Sequence, residues 1–324
     1  MRAVQISRLD GPAAAQIVEL DEPAVDDAVV IDVHAAGVAF PDVLQSRGLY
    51  QYKPELPYVP GGEAAGVVRS APAGAHVRAG DRVAALTLLT GGMAEVIALP
   101  AERVFKLPDP VSFEAGAGLL FNDLTMHFAL AERGRLSPGD TVLVHGAAGG
   151  IGTSTLRLAS ALGADRVIAV VSTPEKAEAA RSAGATDTVP VDGFKDAARE
   201  LTAGRGVDLV VDPVGGDRFT DSLRSLAPGG RLLVVGFTGG EIPTVKVNRL
   251  LLNNIDVVGV GWGAWTMSHP GYLADQWSKL EPLLASGAVA PPQPQVFPLE
   301  QAGAAIAALE DRTARGKVVL RMRG

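Results

Sequence analysis

The chain is 324 residues long, 47% hydrophobic and 20% charged, with a net charge of −7 and no cysteine. This is the composition of a globular enzyme with room for two domains, and the lack of cysteine excludes disulfides, thiol nucleophiles, iron–sulfur clusters and thiolate zinc sites. The acidic balance, with no basic block beyond the short "RMRG" at the C-terminus, argues against a nucleic-acid partner.

Residues 1–118 read as short strands separated by Gly and Pro: "RAVQI", "AAAQIVEL", "DAVVIDVHAAGV", "GEAAGVVRSA", "DRVAAL" and "MAEVIALP". Such closely spaced strands predict a small β-barrel or sandwich. The opening "MRAVQISRLDGPAAA" lacks the apolar region of a secretion signal, and no apolar run reaches membrane-spanning length, so a cytoplasmic, membrane-free protein is expected.

From Leu119 the rhythm changes. "LTMHFALAERGRL" has helical spacing, followed by strand "TVLVH", helix "GIGTSTLRLASALGA", strand "RVIAVV", helix "PEKAEAARSAGA" and helix "FKDAARELTAG". Strand "VDLVVDPV", helix "RFTDSLRSLAPGG" and strands "RLLVVGF" and "IDVVGV" complete the pattern. Continuously apolar strands alternating with amphipathic helices predict a parallel, doubly wound α/β domain over 119–261. The rest, 262–324, offers helix "GYLADQWSKLEPLLASG", connector "APPQPQVFP", helix "LEQAGAAIAALED" and strand "KVVLRM". These pieces extend neither the parallel sheet nor a third domain, and the chain is expected to return to the first.

Within "VLVHGAAGGIG", the spacing Ala147-x-Gly149-x-x-Gly152 is a dinucleotide fingerprint with Ala in the first glycine's place. Gly149 would let backbone approach a pyrophosphate, Gly152 would let the helix pack on the strand, and the N–H groups of Ala148, Gly150 and Ile151 lie in the same turn. No Lys-Ser or Lys-Thr follows, as a nucleoside triphosphate loop requires. A glycine-rich turn can also be only a tight connection, but this one follows a strand, opens a helix and precedes a second strand.

That second strand ends "RVIAVVSTPEK". NAD-selective sites place an acid there for the ribose 2′-hydroxyl; here the position is Val171, followed by Ser172, Thr173 and Lys176. Hydroxyls and an ammonium suit a 2′-phosphate and favour NADPH. The alternative for Lys176 is a solvated residue pairing with Glu175 or Glu178.

With "GGEAAGVV", "VLVHGAAGGIG", "VVDPVGG" and "GKVVL" in this order, the chain resembles the medium-chain dehydrogenase/reductase superfamily, and within it the zinc-independent NADPH:quinone oxidoreductase (zeta-crystallin-like) family. The resemblance covers essentially the whole chain. It implies a Rossmann domain inserted into a GroES-like β-barrel catalytic domain, an active site between the two, and a homodimer paired through the Rossmann edge strand "DVVGV". Zinc-dependent relatives use a Cys and a Gly-His-Glu segment, where this chain has "AGVAFPDV" and Gly61-Gly62-Glu63. His34 and Glu63 remain nearby, and a His with one carboxylate does not make a tetrahedral site. Metal-free catalysis is the expectation, with Glu63 structural and His34 a surface or packing residue.

The same resemblance assigns the site. Family members often carry an Asn and a Tyr at the positions of Ala39 and Leu44, so this cleft is less polar. Tyr50 keeps a family position and is the candidate donor toward substrate or nicotinamide; a packing aromatic is the equal alternative. Asp42 is placed in the catalytic segment to orient its loop, with Phe40 and Tyr52 lining the substrate cleft. Asn122 and Thr125 fall on the nicotinamide side, Phe237 and Thr238 at its ribose, and Gly261 and Trp262, in the run Gly259 to Gly263, at its carboxamide. Arg312 matches an arginine directed at the 2′-phosphate, or pairs with Asp311 or Glu310. A family Tyr beneath that phosphate is Val191 here.

The function expected is reduction of quinones or activated alkenes, small electrophilic molecules, by hydride from NADPH. Two alternatives stay open: an enoyl- or acryloyl-thioester reductase using Arg47 and Lys53, and a catalytically weak NADPH-binding structural protein.

Overall fold

In the computed structural model, which describes residues 1–24 and 26–323, the chain opens with an antiparallel ribbon of β1 (Arg2–Ile6) and β2 (Ala15–Glu19). Then come β3 (Val29–Val38), helix α1 (Phe40–Ser46), β4 (Glu63–Ser70), β5 (Arg82–Leu86), β6 (Val96–Leu99), β7 (Val104–Lys106) and the short helix α2 (Phe113–Gly116). A helical stretch winds as π turns over Leu120–Leu124 and Phe128–Arg133 around α3 (Thr125–His127).

The parallel part follows: β8 (Thr141–Val144), α4 (Gly150–Ala161), β9 (Arg166–Val171), α5 (Pro174–Ser182), β10 (Asp187–Pro190), α6 (Phe194–Leu201), β11 (Val207–Asp212), α7 (Phe219–Ser225), β12 (Leu226–Val234), α8 (Asn248–Asn253), β13 (Asp256–Gly259) and α9 (Trp262–Ser268). The last elements are α10 (Tyr272–Ala285), β14 (Gln295–Pro298), α11 (Ala302–Glu310) and β15 (Val318–Arg321). These elements gather into two compact units, one of residues 1–124 with 270–324, the other of residues 125–269.

In the first unit a sheet runs β14-β15-β3-β4-β5-β7, with β6 also on β3. Val29, Ile31 and Val33 of β3 are fully buried, the alternation of a strand with one face on a core. β15 pairs antiparallel with β3, with Leu320 opposite Ala36. Val4, Ile31, Val83, Ile306 and Leu320 share one hydrophobic cluster, so both the first and the last elements of the chain build this core. Each such buried aliphatic side chain contributes about 1.5–3 kcal/mol.

The second unit is a six-stranded parallel sheet in the order β10-β9-β8-β11-β12-β13. All of Thr141–Val144 and most of β9 and β11 are buried, because helices cover both faces. The order reverses between β8 and β11. In doubly wound sheets that switch point opens a crevice at the carboxyl ends of the strands.

Three local differences from the sequence pattern have plain causes. "RFTDSLRSLAPGG" is helical only to Ser225, because Leu226 onward pairs with β11 and β13. β10 is a four-residue edge strand with only Val189 buried, too short to leave a periodic signal. α9 forms in "WGAWTMS", where the glycine and the exposed side chains hide a helical stripe. Among the described residues no helix is long and apolar enough to cross a membrane.

Candidate functional site

In the second unit several of the candidate cofactor residues follow the carboxyl ends of the parallel strands. The turn Ala147–Gly152 follows β8, Ser172 follows β9, Phe237 and Thr238 follow β12, and Gly261 with Trp262 follows β13. These strands, with β11, form one continuous run in the sheet order, so the five carboxyl ends are neighbours.

The turn after β8 has its own geometry. Gly146, at φ +57°, takes the left-handed conformation that ends the strand. The tight-turn glycine is therefore Gly146, one residue before the slot where the sequence spacing put Ala147, and the working pattern is Gly146-x-x-Gly149-x-x-Gly152. Ala147 is fully buried and Ala148 nearly so; Ala147 packs under the helix. A Cβ on Gly152 would lie 2.3 Å from the Gly146 carbonyl oxygen and 2.5 Å from Ala147 Cα. Gly149, by contrast, has only that same oxygen nearby, at 3.3 Å. Gly149 is the N-cap of α4 and supplies no side-chain cap, so the first-turn N–H groups at Gly150 and Ile151 meet no capping side chain. That is a cradle suited to a pyrophosphate.

At the end of β9, Thr173 caps α5: its Oγ1 accepts from the Lys176 N–H at 3.3 Å. Ser172 is exposed and Lys176 half-buried. Thr238 is fixed by N–H and Oγ1 hydrogen bonds to Pro213 O at 3.0 and 3.1 Å. Phe237 is partly exposed, and its ring edge lies 3.0 Å from where a Cβ on Gly215 would stand. Asp212, buried at the end of β11, accepts from the N–H groups of Val214 and Gly215 at 2.9 Å each and holds that turn. Gly261 is the N-cap of α9 and Trp262 is buried beneath it.

Sequence reasoning passed over His145, the last residue before the turn. It is fully buried, with Nε2 2.8 Å from Ser222 Oγ. Ser222 donates its proton to Arg218 O at 3.0 Å, so Nε2 carries the proton and donates to Ser222. The Phe194 ring meets it edge-on. Burial, then the charge of Arg218, pushes the imidazole down to about 3, and it is neutral. A single His in an apolar strand gave no signal for this.

In the first unit, Asp42 is buried at the start of α1. Its Oδ2 accepts from the Ala39 N–H at 2.7 Å and its Oδ1 from the Gly61 N–H at 3.0 Å. Each oxygen accepts from a backbone N–H of a different loop, so the residue braces the two loops. Burial raises its carboxyl to about 6, against the pull of those N–H groups. Tyr50 is half-buried, its hydroxyl pushed up by burial and by Asp42. Phe40 is half-buried and Tyr52 exposed. Arg47, considered for a phosphorylated substrate arm, pairs with Glu310, its Nη2 2.8 Å from Oε2. Arg312 sits exposed at φ +56°.

His34 stacks on Phe113 at 4.4 Å, and Glu63 is fully enclosed. Glu63 Oε1 lies 2.6 Å from the Lys317 ammonium, so its compensating charge is a side chain. Among the described residues no group of three His, Cys, Asp or Glu is placed to hold a metal ion.

Residues 25–109 match the family described as "Alcohol dehydrogenase GroES-like domain", and 150–285 the one described as "Zinc-binding dehydrogenase". Quinone oxidoreductase-like protein 2 of Rattus norvegicus is 36% identical, over 99% of this chain and 92% of its own length. The chain belongs to the quinone oxidoreductase-like family of medium-chain dehydrogenases/reductases. Members of this family are oxidoreductases. A probable oxidoreductase from Mycobacterium abscessus superposes with a TM-score of 0.90 at 43% identity, covering 99% of both chains. The Escherichia coli quinone oxidoreductase complexed with NADPH superposes at 0.89 with 30% identity, covering 99% of this chain and 100% of its own. Within the quinone oxidoreductase-like family, then, this member keeps the domain that the zinc-binding description names while its Glu63 faces an ammonium.

Proposed function

We propose that this oxidoreductase uses NADPH to reduce quinones or activated alkenes, without a metal. The observation that carries the reading is the Gly146–Gly152 turn at the sheet's switch point, with an uncapped helix behind it and Ser172 and Lys176, not a carboxylate, at the end of the neighbouring strand. The NADPH complex of the Escherichia coli relative supports the same cofactor. When bound, NADPH supplies a hydride from nicotinamide C4 to an electrophilic carbon, leaving a substrate oxyanion to take one proton.

The chain's own contributions follow. The N–H groups of α4's first turn would hold the pyrophosphate, and Ser172 and Lys176 would hold the 2′-phosphate. Thr238, anchored on Pro213, and Phe237 bound the nicotinamide ribose, while Asn122, Thr125, Gly261 and Trp262 hold the nicotinamide. Phe40 and Tyr52 line the substrate cleft. Tyr50 donates a hydrogen bond to the developing oxyanion, and solvent supplies the proton. β13 lies at the sheet edge, and the adjoining α8 exposes Leu251 and Leu252, which suits a homodimer through that edge.

The test is NADPH and NADH oxidation followed spectrophotometrically with quinones, enals and enoyl thioesters as acceptors. Turnover with NADPH and a quinone or enal is expected; a protein that binds NADPH and turns over no acceptor contradicts the reading.

A further inference from the structure

The Glu63–Lys317 pair is built more carefully than stability requires. Glu63 is 1% and Lys317 4% exposed, and both are seated against glycine backbone. A Cβ on Gly37 would stand 2.6 Å from Glu63 Cγ, and one on Gly118 would stand 2.9 Å from Lys317 Cγ. Dry ion pairs of this kind gain little net stability, because desolvation offsets the attraction; apolar residues of similar volume often serve as well or better. The pair therefore asks for a second role.

The other oxygen of Glu63 shows one. Oε2 accepts from the Phe121 N–H at 2.9 Å. Phe121 lies in the first positions of the π-helical turn Leu120–Leu124, where backbone N–H groups have no partner within the turn. A carboxylate at that end satisfies the donor and matches the turn's dipole. The turn carries Asn122, buried and adjacent to the capped residue. Burial and the neighbouring Asp123 push the Glu63 carboxyl up, while Lys317 and the Phe121 N–H favour its charged form.

We propose that Glu63, held by Lys317, is a positioning residue that caps the Leu120–Leu124 turn and sets Asn122 for the cofactor. This rests on the reading of Asn122 as a nicotinamide contact. The capping residue acts through backbone and touches neither substrate nor cofactor.

Two double variants differ by one acceptor. E63Q/K317M removes both charges and keeps an amide oxygen for the Phe121 N–H; E63L/K317M removes the oxygen as well. Amide hydrogen exchange of the apo protein should be at least tenfold faster at Phe121 in E63L/K317M than in E63Q/K317M, with matching circular dichroism. The NADPH Kd, by calorimetric titration, should be at least tenfold weaker in the same comparison. Equal exchange in the two variants, or faster exchange with equal Kd, overturns the proposal. If E63L/K317M does not fold, Glu63→Asp draws the carboxylate back by one methylene: exchange and Kd should both rise, and no change in either overturns the proposal. Wild-type protein that binds no NADPH overturns the cofactor reading instead, and the exchange comparison still decides whether Glu63 caps the turn.

Discussion

Gly152 and Gly146 meet so closely that a Cβ on Gly152 would stand 2.3 Å from the Gly146 carbonyl oxygen, whereas a Cβ on Gly149 would stand 3.3 Å from the same atom, a contact that a small shift relieves. The two positions should therefore fail differently. Gly152→Ala must push α4 off β8 and is expected to cost about 1–3 kcal/mol of stability, as overpacking does. Gly149→Ala should cost less stability than Gly152→Ala, about the loss of a favourable N-cap residue, but hold the pyrophosphate away, weakening NADPH binding by about tenfold or more, some 1.4 kcal/mol. Thermal unfolding and NADPH titration of both variants check this. Equal stability losses would contradict the division of labour.

Lys176 and Thr173 offer a second separation. Thr173 Oγ1 caps α5, so Thr173→Ala is expected to cost about 1 kcal/mol of stability. Its preference for NADPH over NADH should persist. Lys176→Ala should leave the cap intact and reduce that preference about tenfold, through loss of one charge-assisted contact to the 2′-phosphate. Kinetics with both cofactors decide; an unchanged preference in Lys176→Ala shows that the assignment is wrong.

Asp42 and His145 should give the protein opposed pH slopes. Asp42 is raised from its ordinary 3.8 to about 6, so the folded state holds a proton that the unfolded chain has lost, and stability falls as pH rises from about 4 to 6. The span is about 3 kcal/mol, from 1.36 kcal/mol per pKa unit. Asp42→Asn should flatten this fall in denaturant-unfolding curves taken across that range. Parallel pH curves for variant and wild type would contradict it.

His145 works the other way. Its folded value is pushed from 6.5 to about 3, so the unfolded chain binds the proton first and stability is lost as pH falls below about 6.5. The full span is about 5 kcal/mol. His145→Gln, which keeps a donor toward Ser222, should unfold at lower pH than wild type. An unchanged acid midpoint would contradict a buried neutral imidazole.

The Rossmann sheet and its phosphate turn were legible in the sequence because their causes are local. Apolar runs such as "TVLV" alternate with helical stripes, and glycine spacing reports backbone geometry directly. Even there the tight-turn glycine is Gly146 and not the position of Ala147, since the spacing shows which residues are small and not which carries φ +57°. β10 and α9 escaped notice, one for its length and one for its exposed composition. The pairing of Glu63 with Lys317, 254 positions apart, is a tertiary fact that no periodicity encodes. The same holds for the two N–H groups on Asp42, which come from separate loops.

The most direct measurement is NADPH oxidation by the chelator-treated protein with a quinone or enal acceptor, run beside NADH. Turnover that survives the chelator and favours NADPH is the expected result. Turnover that disappears with the chelator and returns with zinc, or that favours NADH, would contradict a metal-free NADPH reductase.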